Sequence, residues 1–242
     1  MRVWTMVVAA ILGTLAITPH AHAGSLQVAP VSIEMKAPAQ ASSLVLRNPG
    51  KNPLKAQVRV FRWSQVNGQE ALEPATDLVA SPPMATVAPG KDYVVRLVRL
   101  AKQPAVAEET YRIIVDELPE PGSVKGTGLD IAFRYSVPVF VTPEQGGKPA
   151  LTWSVAQRDG NSIITAVNQG DRRVRIADLK AGASASRQVE VSRGLAGYVL
   201  ARSSMSWVAP GSVQGSGSAP VLITALGDQG PINAQAQPGA AR

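Results

Sequence analysis

The sequence contains no cysteine, and its only two histidines, His20 and His22, lie close to the N-terminus. Without these residues the remaining chain cannot use Ser-His or Cys-His nucleophiles or build an ordinary zinc site. Disulfides are excluded as well, so the protein must be stabilised by an apolar core, which a 45% apolar composition permits. We therefore predict that the protein is not an enzyme and that it needs no cofactor and no metal.

Aromatic residues are also scarce, at 5% of the chain, although the formal net charge is +7. Apart from the cluster at residues 171–175, the Lys and Arg residues are scattered along the chain. Nucleic-acid sites combine a basic patch with aromatic stacking platforms. We predict no nucleic-acid partner, and the charge instead favours a solvated basic face or attraction to acidic partner proteins.

Long apolar runs are missing too. The longest, residues 3–17, is shorter than the roughly 20 residues that a membrane-spanning helix needs. Arg2 precedes this run, and the small-x-small segment Ala21-His-Ala23 follows it, as in a secretory signal. We predict a signal peptide at residues 1–23, cleaved near Ala23, and an exported mature chain with no membrane span and a charge of +6 after loss of Arg2.

The rest of the chain alternates short apolar-polar segments with Pro, Gly and Asn turns, which is typical of antiparallel sandwiches. We predict an all-β protein with one domain at residues 24–142, a smaller β-sandwich domain at 143–226 and a disordered tail at 227–242. The tail is assigned from its Gly, Ala, Gln and Pro content. The predicted strands are 26–28, 32–35, 43–47, 54–63, 84–87, 93–100, 110–117 and 129–137 in the first domain, and 151–157, 162–168, 174–179, 188–191, 197–201, 205–207 and 219–226 in the second.

The predicted strand at residues 129–137 is the last strand of the first domain. Its alternation is strict, which indicates one face meant for burial. That face consists of Leu129, Ile131, Phe133, Tyr135 and Val137. Final strands often lie at sheet edges, where unpaired backbone groups can recruit another chain.

Region 26–143 also contains a series of distinctive segments. In order they are LQVAPVSIEM (26–35), LVLRNPG (44–50), VRVFRW (58–63), ASPPM (80–84), APG (88–90), VVRL (94–97) and YRIIVDELP (111–119). In this order and spacing they resemble the N-terminal domain of the periplasmic pilus-assembly chaperones, the PapD-like family. The Ser-Pro-Pro, Pro-Gly and Asp-Glu-Leu-Pro parts are the most specific, and VNQG (167–170) and GYVL (197–200) are weaker echoes in the second domain.

The resemblance implies two immunoglobulin-like domains joined at an angle, located in the periplasm. It also implies pilin-like subunits and an outer-membrane usher as partners. In this family the last strand of the first domain completes a pilin that lacks its own final strand. By position, Leu129, Ile131 and Phe133 are the donated side chains, and Tyr135 and Val137 extend the same face.

The sequence departs from the family at one feature. Well-studied members hold the pilin's terminal carboxylate with an Arg and a Lys, whereas the matching positions here are Ser32 and Pro138. The amino-acid sequence of the last strand resembles that of the divergent, archaic branch of this family. Since a buried carboxylate still needs a cationic or hydrogen-bonding partner, the candidate anchors are Arg112, Arg134 and Arg99.

Two other classes of function remain open at this point. The chain could be an exported structural protein, such as a pilin or adhesin built from similar sandwiches. It could also be an exported hydrolase, although a glycosidase needs two facing carboxylates and the sequence does not identify such a pair.

Overall fold

The computed structural model describes residues 26–118, 132–213 and 220–238. Every regular element in these ranges is a β-strand, and the strands form sheets in two domains, which confirms the predicted all-β class. The predicted signal peptide at residues 1–23 lies outside the described ranges. No helix in the described part of the chain is long and apolar enough to cross a membrane.

The first domain is a sandwich of two sheets. Its strands are β1 (Gln27–Ala29), β2 (Ile33–Lys36), β3 (Ala41–Arg47), β4 (Leu54–Val66), β5 (Gln69–Pro74), β6 (Leu78–Ser81), β7 (Met84–Val87), β8 (Asp92–Arg99), β9 (Glu109–Leu118) and β10 (Arg134–Thr142). One sheet has the order β1-β3-β8-β6, and the other has the order β2-β10-β9-β4-β5, with β7 paired to β4.

Period-two alternation builds the core between these two sheets. On β3, for example, Leu44 and Leu46 are buried while their neighbours face outward. On β9, Ile113 and Val115 point into the same core from the opposite sheet. The inward residues of both sheets therefore form one apolar cluster.

The described strands of the second domain are β11 (Leu151–Arg158), β12 (Asn161–Asn168), β13 (Val174–Gly182), β14 (Gln188–Val199), β15 (Ser203–Ala209), β16 (Val221–Gly227) and β17 (Gly230–Pro238). They are hydrogen-bonded in the order β14-β13-β16-β17-β11-β12-β15. The core of this domain includes the stacked rings of Trp153 and Trp207, together with Ile164, Ile176 and Ile223.

Strand β17 contradicts the predicted disordered tail at residues 227–242. A two-residue turn connects β16 to β17, and Gly227 pairs with Gly230. Ile232, Ala234 and Ala236 alternate along β17 and pack on the second core. The composition was misleading, because small alanines on one face of a strand bury enough surface once neighbouring strands enclose them.

Candidate functional site

Strand β10 has a partner along its whole length on one side only. It pairs with β9 from Arg134 to Val141, whereas its parallel pairing with β2 covers only Val139–Thr142. On the β2 side of Arg134–Pro138, the described ranges place no strand. The first half of β10 is therefore a sheet edge, and the second half is an interior strand.

The hydrogen-bond pattern shows which backbone groups point out of this edge. The amide of Glu117 donates to the carbonyl of Phe133, so the pairing with β9 continues one residue beyond the strand. Because antiparallel pairs alternate between bonded and non-bonded positions, Arg134, Ser136 and Pro138 direct their backbone groups away from β9. Proline has no amide hydrogen to donate, and at Pro138 its position on the outer side costs the β9 ladder nothing.

Only part of the predicted subunit-binding face is available to a partner. Phe133 is 37% exposed and stacks on Tyr135, with ring centroids 6.4 Å apart. Leu129 and Ile131 lie outside the described residues. Phe133 is thus the predicted donor residue that the structure places at the surface.

Tyr135 and Val137 belong instead to the first domain's own core. Val137 is only 4% exposed, so the structure does not place it on a surface that a subunit can reach. Tyr135 packs against the same core, and its hydroxyl donates to the carbonyl of Leu26. All five predicted residues share one side of a period-two pattern, and the alternation alone does not mark where the strand leaves its own core.

The outer face of the larger sheet lies beside this edge. Arg112 on β9 is directly opposite Pro138 on β10 and Phe61 on β4. Opposed residues in antiparallel strands project from the same face. Arg112 therefore lies next to Pro138, the position at which the family resemblance led us to expect a lysine.

Arg112 is largely buried, with 16% of its side chain exposed. Its guanidinium lies 3.7 Å from the centroid of the Trp63 ring, and its ion pair with Glu70 is long, at 3.4 Å. Burial lowers the pKa of Arg112, and the charge of Glu70 opposes that shift. The site thus holds a cation that has lost most of its water and has a weak counter-ion.

Arg134 has a different environment, since 68% of its side chain is exposed. It hydrogen-bonds Asp116, which also accepts from Arg59 at 2.7 Å. Burial raises the pKa of Asp116, but the hydrogen bonds from Arg134 and Arg59 outweigh burial and lower it. Arg134 therefore ties the first residue of β10 to β9.

Arg99, the third candidate anchor, lies away from the open edge of β10. It is buried at the end of β8 and forms two hydrogen bonds to the carboxylate of Glu109, at 2.7 and 2.8 Å. Its other donors reach the carbonyls of Ala101 and Gln103. A guanidinium with this set of partners fixes the loop before β9 and has little capacity for a ligand.

An aromatic cluster joins the two domains behind Arg112. It consists of Trp63, Phe140, Tyr198 and Leu200. The Trp63 ring lies 5.6 Å from the ring of Tyr198 and 6.0 Å from that of Phe140. Sequence analysis missed this cluster, although the GYVL segment at 197–200 had been noted, because the contact joins residues more than 130 positions apart.

At the other end of the cluster, Arg173 of the second domain lies over the ring of Phe140, with Cζ 3.3 Å from its centroid. Its guanidinium contacts Glu108, at 2.6 Å, and Glu34. Burial raises the pKa of Glu108, and the charge and hydrogen bonds of Arg173 oppose that shift. These ionic contacts cross from the second domain to both β2 and the start of β9.

The β4–β5 hairpin makes a third contact between the domains. The side-chain amide of Gln65 donates to the carbonyl of Tyr198 and accepts from the amide of Leu200. At the hairpin turn, the carbonyl of Gly68 accepts from the amide of Ser206 at 2.9 Å. Gly68 has φ +77°, and a Cβ there would lie 2.4 Å from the Ser206 hydroxyl, so only glycine fits.

The geometry suits an extended polypeptide that ends in a carboxylate. A strand could pair with the open half of β10, and a buried cation lies next to that edge on the outer face of the same sheet. Added strands gain affinity from backbone hydrogen bonds and specificity from side-chain pockets and charges.

Solved structures of similar shape are chaperones of surface fibres. The complex of CsuC with the tip adhesion subunit CsuE, from archaic chaperone-usher Csu pili of Acinetobacter baumannii, matches with a TM-score of 0.70 and 24% identity, covering 89% of this chain and 100% of that chain. The Escherichia coli chaperone DraB matches at 0.58 and 16% identity, covering 88% and 97%. The Salmonella enterica complex of SafA pilin with the SafB chaperone matches at 0.59 and 15%, covering 88% and 96%.

At these identities the structural matches show the fold. A comparison with curated protein sequences finds no match. The model of one protein family, described as pili and flagellar-assembly chaperone, PapD N-terminal domain, matches residues 25–146. Because this match spans half of the sequence and includes β10 with its open edge, the chain belongs to the family of pili and flagellar-assembly chaperones.

Proposed function

We propose that this protein is a periplasmic chaperone that binds pilin-like subunits, stabilises them by lending them a strand, and delivers them to an outer-membrane usher. The family assignment supports the chaperone role and argues against the alternative of an exported pilin or adhesin. No nucleotide or cofactor takes part. The comparison with CsuC supports a place in the archaic branch.

The observation that carries this proposal is the half-open edge of β10. Outward-facing backbone groups at Arg134 and Ser136 can extend a partner's sheet. Phe133, at the start of this edge, can enter a groove on the partner. Leu129 and Ile131 are assigned to the same groove from their place in the sequence.

The partner's terminal carboxylate binds Arg112 in this proposal. Of the three candidate cations, Arg112 is the one that combines a largely buried side chain with a place beside the open edge and a weak counter-ion. Charge-assisted hydrogen bonds in such a site are stronger than in water. Arg112 on β9 thereby binds the carboxylate that a cation at position 32 or 138 binds in well-studied members of the family.

The second domain supports the site from behind. Tyr198 packs edge-on against Trp63, and Trp63 provides the surface on which the Arg112 guanidinium lies. Contacts with Tyr198 and Phe140 restrict the movement of the Trp63 indole and hence that of Arg112. A chaperone with a pre-ordered anchor loses less conformational entropy on binding.

The test is capture of a client by a chaperone whose donor face carries a charge. We expect Phe133→Asp, alone or combined with Ile131→Asp, to lower co-purification of a small exported protein encoded beside this gene by at least about tenfold. Burying one large apolar side chain stabilises by about 1.5–3 kcal/mol, and a buried charge reverses that gain.

Val94→Asp is the matched control. Val94 is an exposed apolar residue on β8, in the other sheet of the same domain. This variant should capture the client as well as the unmodified protein does. Equal capture by the Phe133 variants and by the control would show that the strand is not lent.

A further inference from the structure

Among the described residues, Arg99, Arg112 and Arg173 have side chains that are only 3%, 16% and 7% exposed, but their counter-ions differ. Arg99 forms a two-point contact with Glu109, and Arg173 contacts two carboxylates, Glu108 and Glu34. Arg112 contacts Glu70, at 3.4 Å, the long limit of a hydrogen bond. In the described part of the chain, Arg112 is thus the least well paired of the three.

Glu70 is placed where it can leave Arg112 without disturbing the fold. It lies on β5, opposite Gln65 in the hairpin that contacts the second domain. The backbone of this hairpin is held by Gln65 and Gly68, whereas the Glu70 side chain is 38% exposed. Its carboxylate can therefore rotate into water while the hairpin keeps its position.

We propose that Glu70 acts as an internal stand-in for the ligand carboxylate, compensating Arg112 in the empty chaperone and giving way when a polypeptide's terminal carboxylate binds. This inference rests on the proposed function, because it assumes that Arg112 is the anchor. The exchange replaces a single long contact with a shorter, two-point contact, which a guanidinium forms readily with a carboxylate. It also spares the empty protein an uncompensated buried charge.

The stand-in role has a signature that a merely structural contact lacks. Removing the Glu70 charge should strengthen binding of a carboxylate, because no internal competitor remains. The same change should slightly lower the thermal stability of the empty protein, because Arg112 loses its counter-ion. A purely structural Glu70 would predict losses in both measurements.

The experiment uses two fluorescein-labelled decapeptides of alternating valine and threonine, one with a free terminal carboxylate and one with a terminal amide. Affinities for the full mature protein are measured by fluorescence anisotropy. For Glu70→Gln we expect the acid peptide to bind about two- to fivefold more tightly, the range of a weak ion pair. Its affinity for the amide peptide should not change.

Glu73→Gln is the matched control, since Glu73 is an exposed glutamate on the same strand. It should leave both affinities unchanged. Unchanged or weaker binding of the acid peptide by Glu70→Gln would overturn the stand-in role, as would equal tightening of both peptides.

Arg112→Met separates this inference from the function on which it rests. If Arg112 is the anchor, this variant loses the preference for the acid over the amide. If that preference is lost but Glu70→Gln has no effect, only the stand-in role fails. If the unmodified protein shows no preference, or Arg112→Met retains it, the carboxylate anchor itself is refuted, and the role of Glu70 falls with it.

Discussion

The two halves of β10 belong to one strand but differ in the number of strands that flank them. From Val139 onward, the strand has β9 on one side and β2 on the other, and Phe140 is enclosed by the second domain. From Arg134 to Pro138 it has β9 alone. In the proposed function, the second half holds the strand in its own protein while the first half pairs with the subunit.

The largest loss of stability should follow from a substitution in the second half of β10. Phe140→Ala removes a fully buried ring that contacts Trp63, Tyr198 and Arg173. We expect the free energy of unfolding to fall by about 3–5 kcal/mol, measured by urea titration. Phe61→Ala, on the same sheet face but only partly buried, should cost less. Equal losses would show that enclosure by the second domain adds nothing.

A smaller loss should follow from Arg173→Met, which leaves Glu108 buried without its cation. Removing one partner of a buried ion pair costs about 3 kcal/mol, and urea titration measures this as well. Arg175→Met is the control, because the pair of Arg175 with Asp228 is largely exposed. If Arg173→Met were no more destabilising than Arg175→Met, the ionic contact would not be what holds β2 and β9 to the second domain.

The smallest loss of stability should follow from a substitution beside the first half of β10, and its size should depend on pH. Because the folded protein lowers the pKa of Asp116, this carboxyl stabilises the fold above its unfolded pKa of about 3.9, and that stability is lost as pH falls through the lower folded value. Asp116→Asn should therefore cost about 1 kcal/mol at pH 7, since its partner Arg134 is exposed, and progressively less below pH 4.

Thermal unfolding of Asp116→Asn and of the unmodified protein between pH 2 and pH 7 measures this difference. A constant difference across that range would mean that the Asp116 charge does not hold the start of β10 to β9.

Sequence patterns predicted much of the fold, because period two and turn residues are local signals. They placed most strands of both domains, and the predicted last strand of the first domain, residues 129–137, overlaps β10 at residues 134–137. They failed for β17, where alanines provide part of the buried face. They also did not separate Val137, which lies in the first domain's core, from the exposed Phe133. In both cases the burial of a side chain depends on which elements pack against its strand, and the tertiary fold decides this.

The candidate site was less accessible from sequence for the same reason. Arg112 and Arg99 occur in similar apolar-polar strands, yet one is weakly paired and the other fully paired. Trp63 and Tyr198 meet across the domain boundary, and no local pattern marks such a contact. The missing charges at Ser32 and Pro138 predict that the anchor lies elsewhere, and the register of β9 and β10 places Arg112 beside Pro138.

The short parallel pairing between β2 and β10 also sets a length. A strand that enters along the edge of β10 can run beside Arg134–Pro138, roughly 17 Å at about 3.4 Å per residue, before it collides with Ile33 opposite Val139. Strand β2 is thus a mechanical end-stop, and Pro138 just before it has no amide hydrogen to donate. In the proposed function, they limit how far a subunit's strand can advance along β10, and this limit sets the register of that strand.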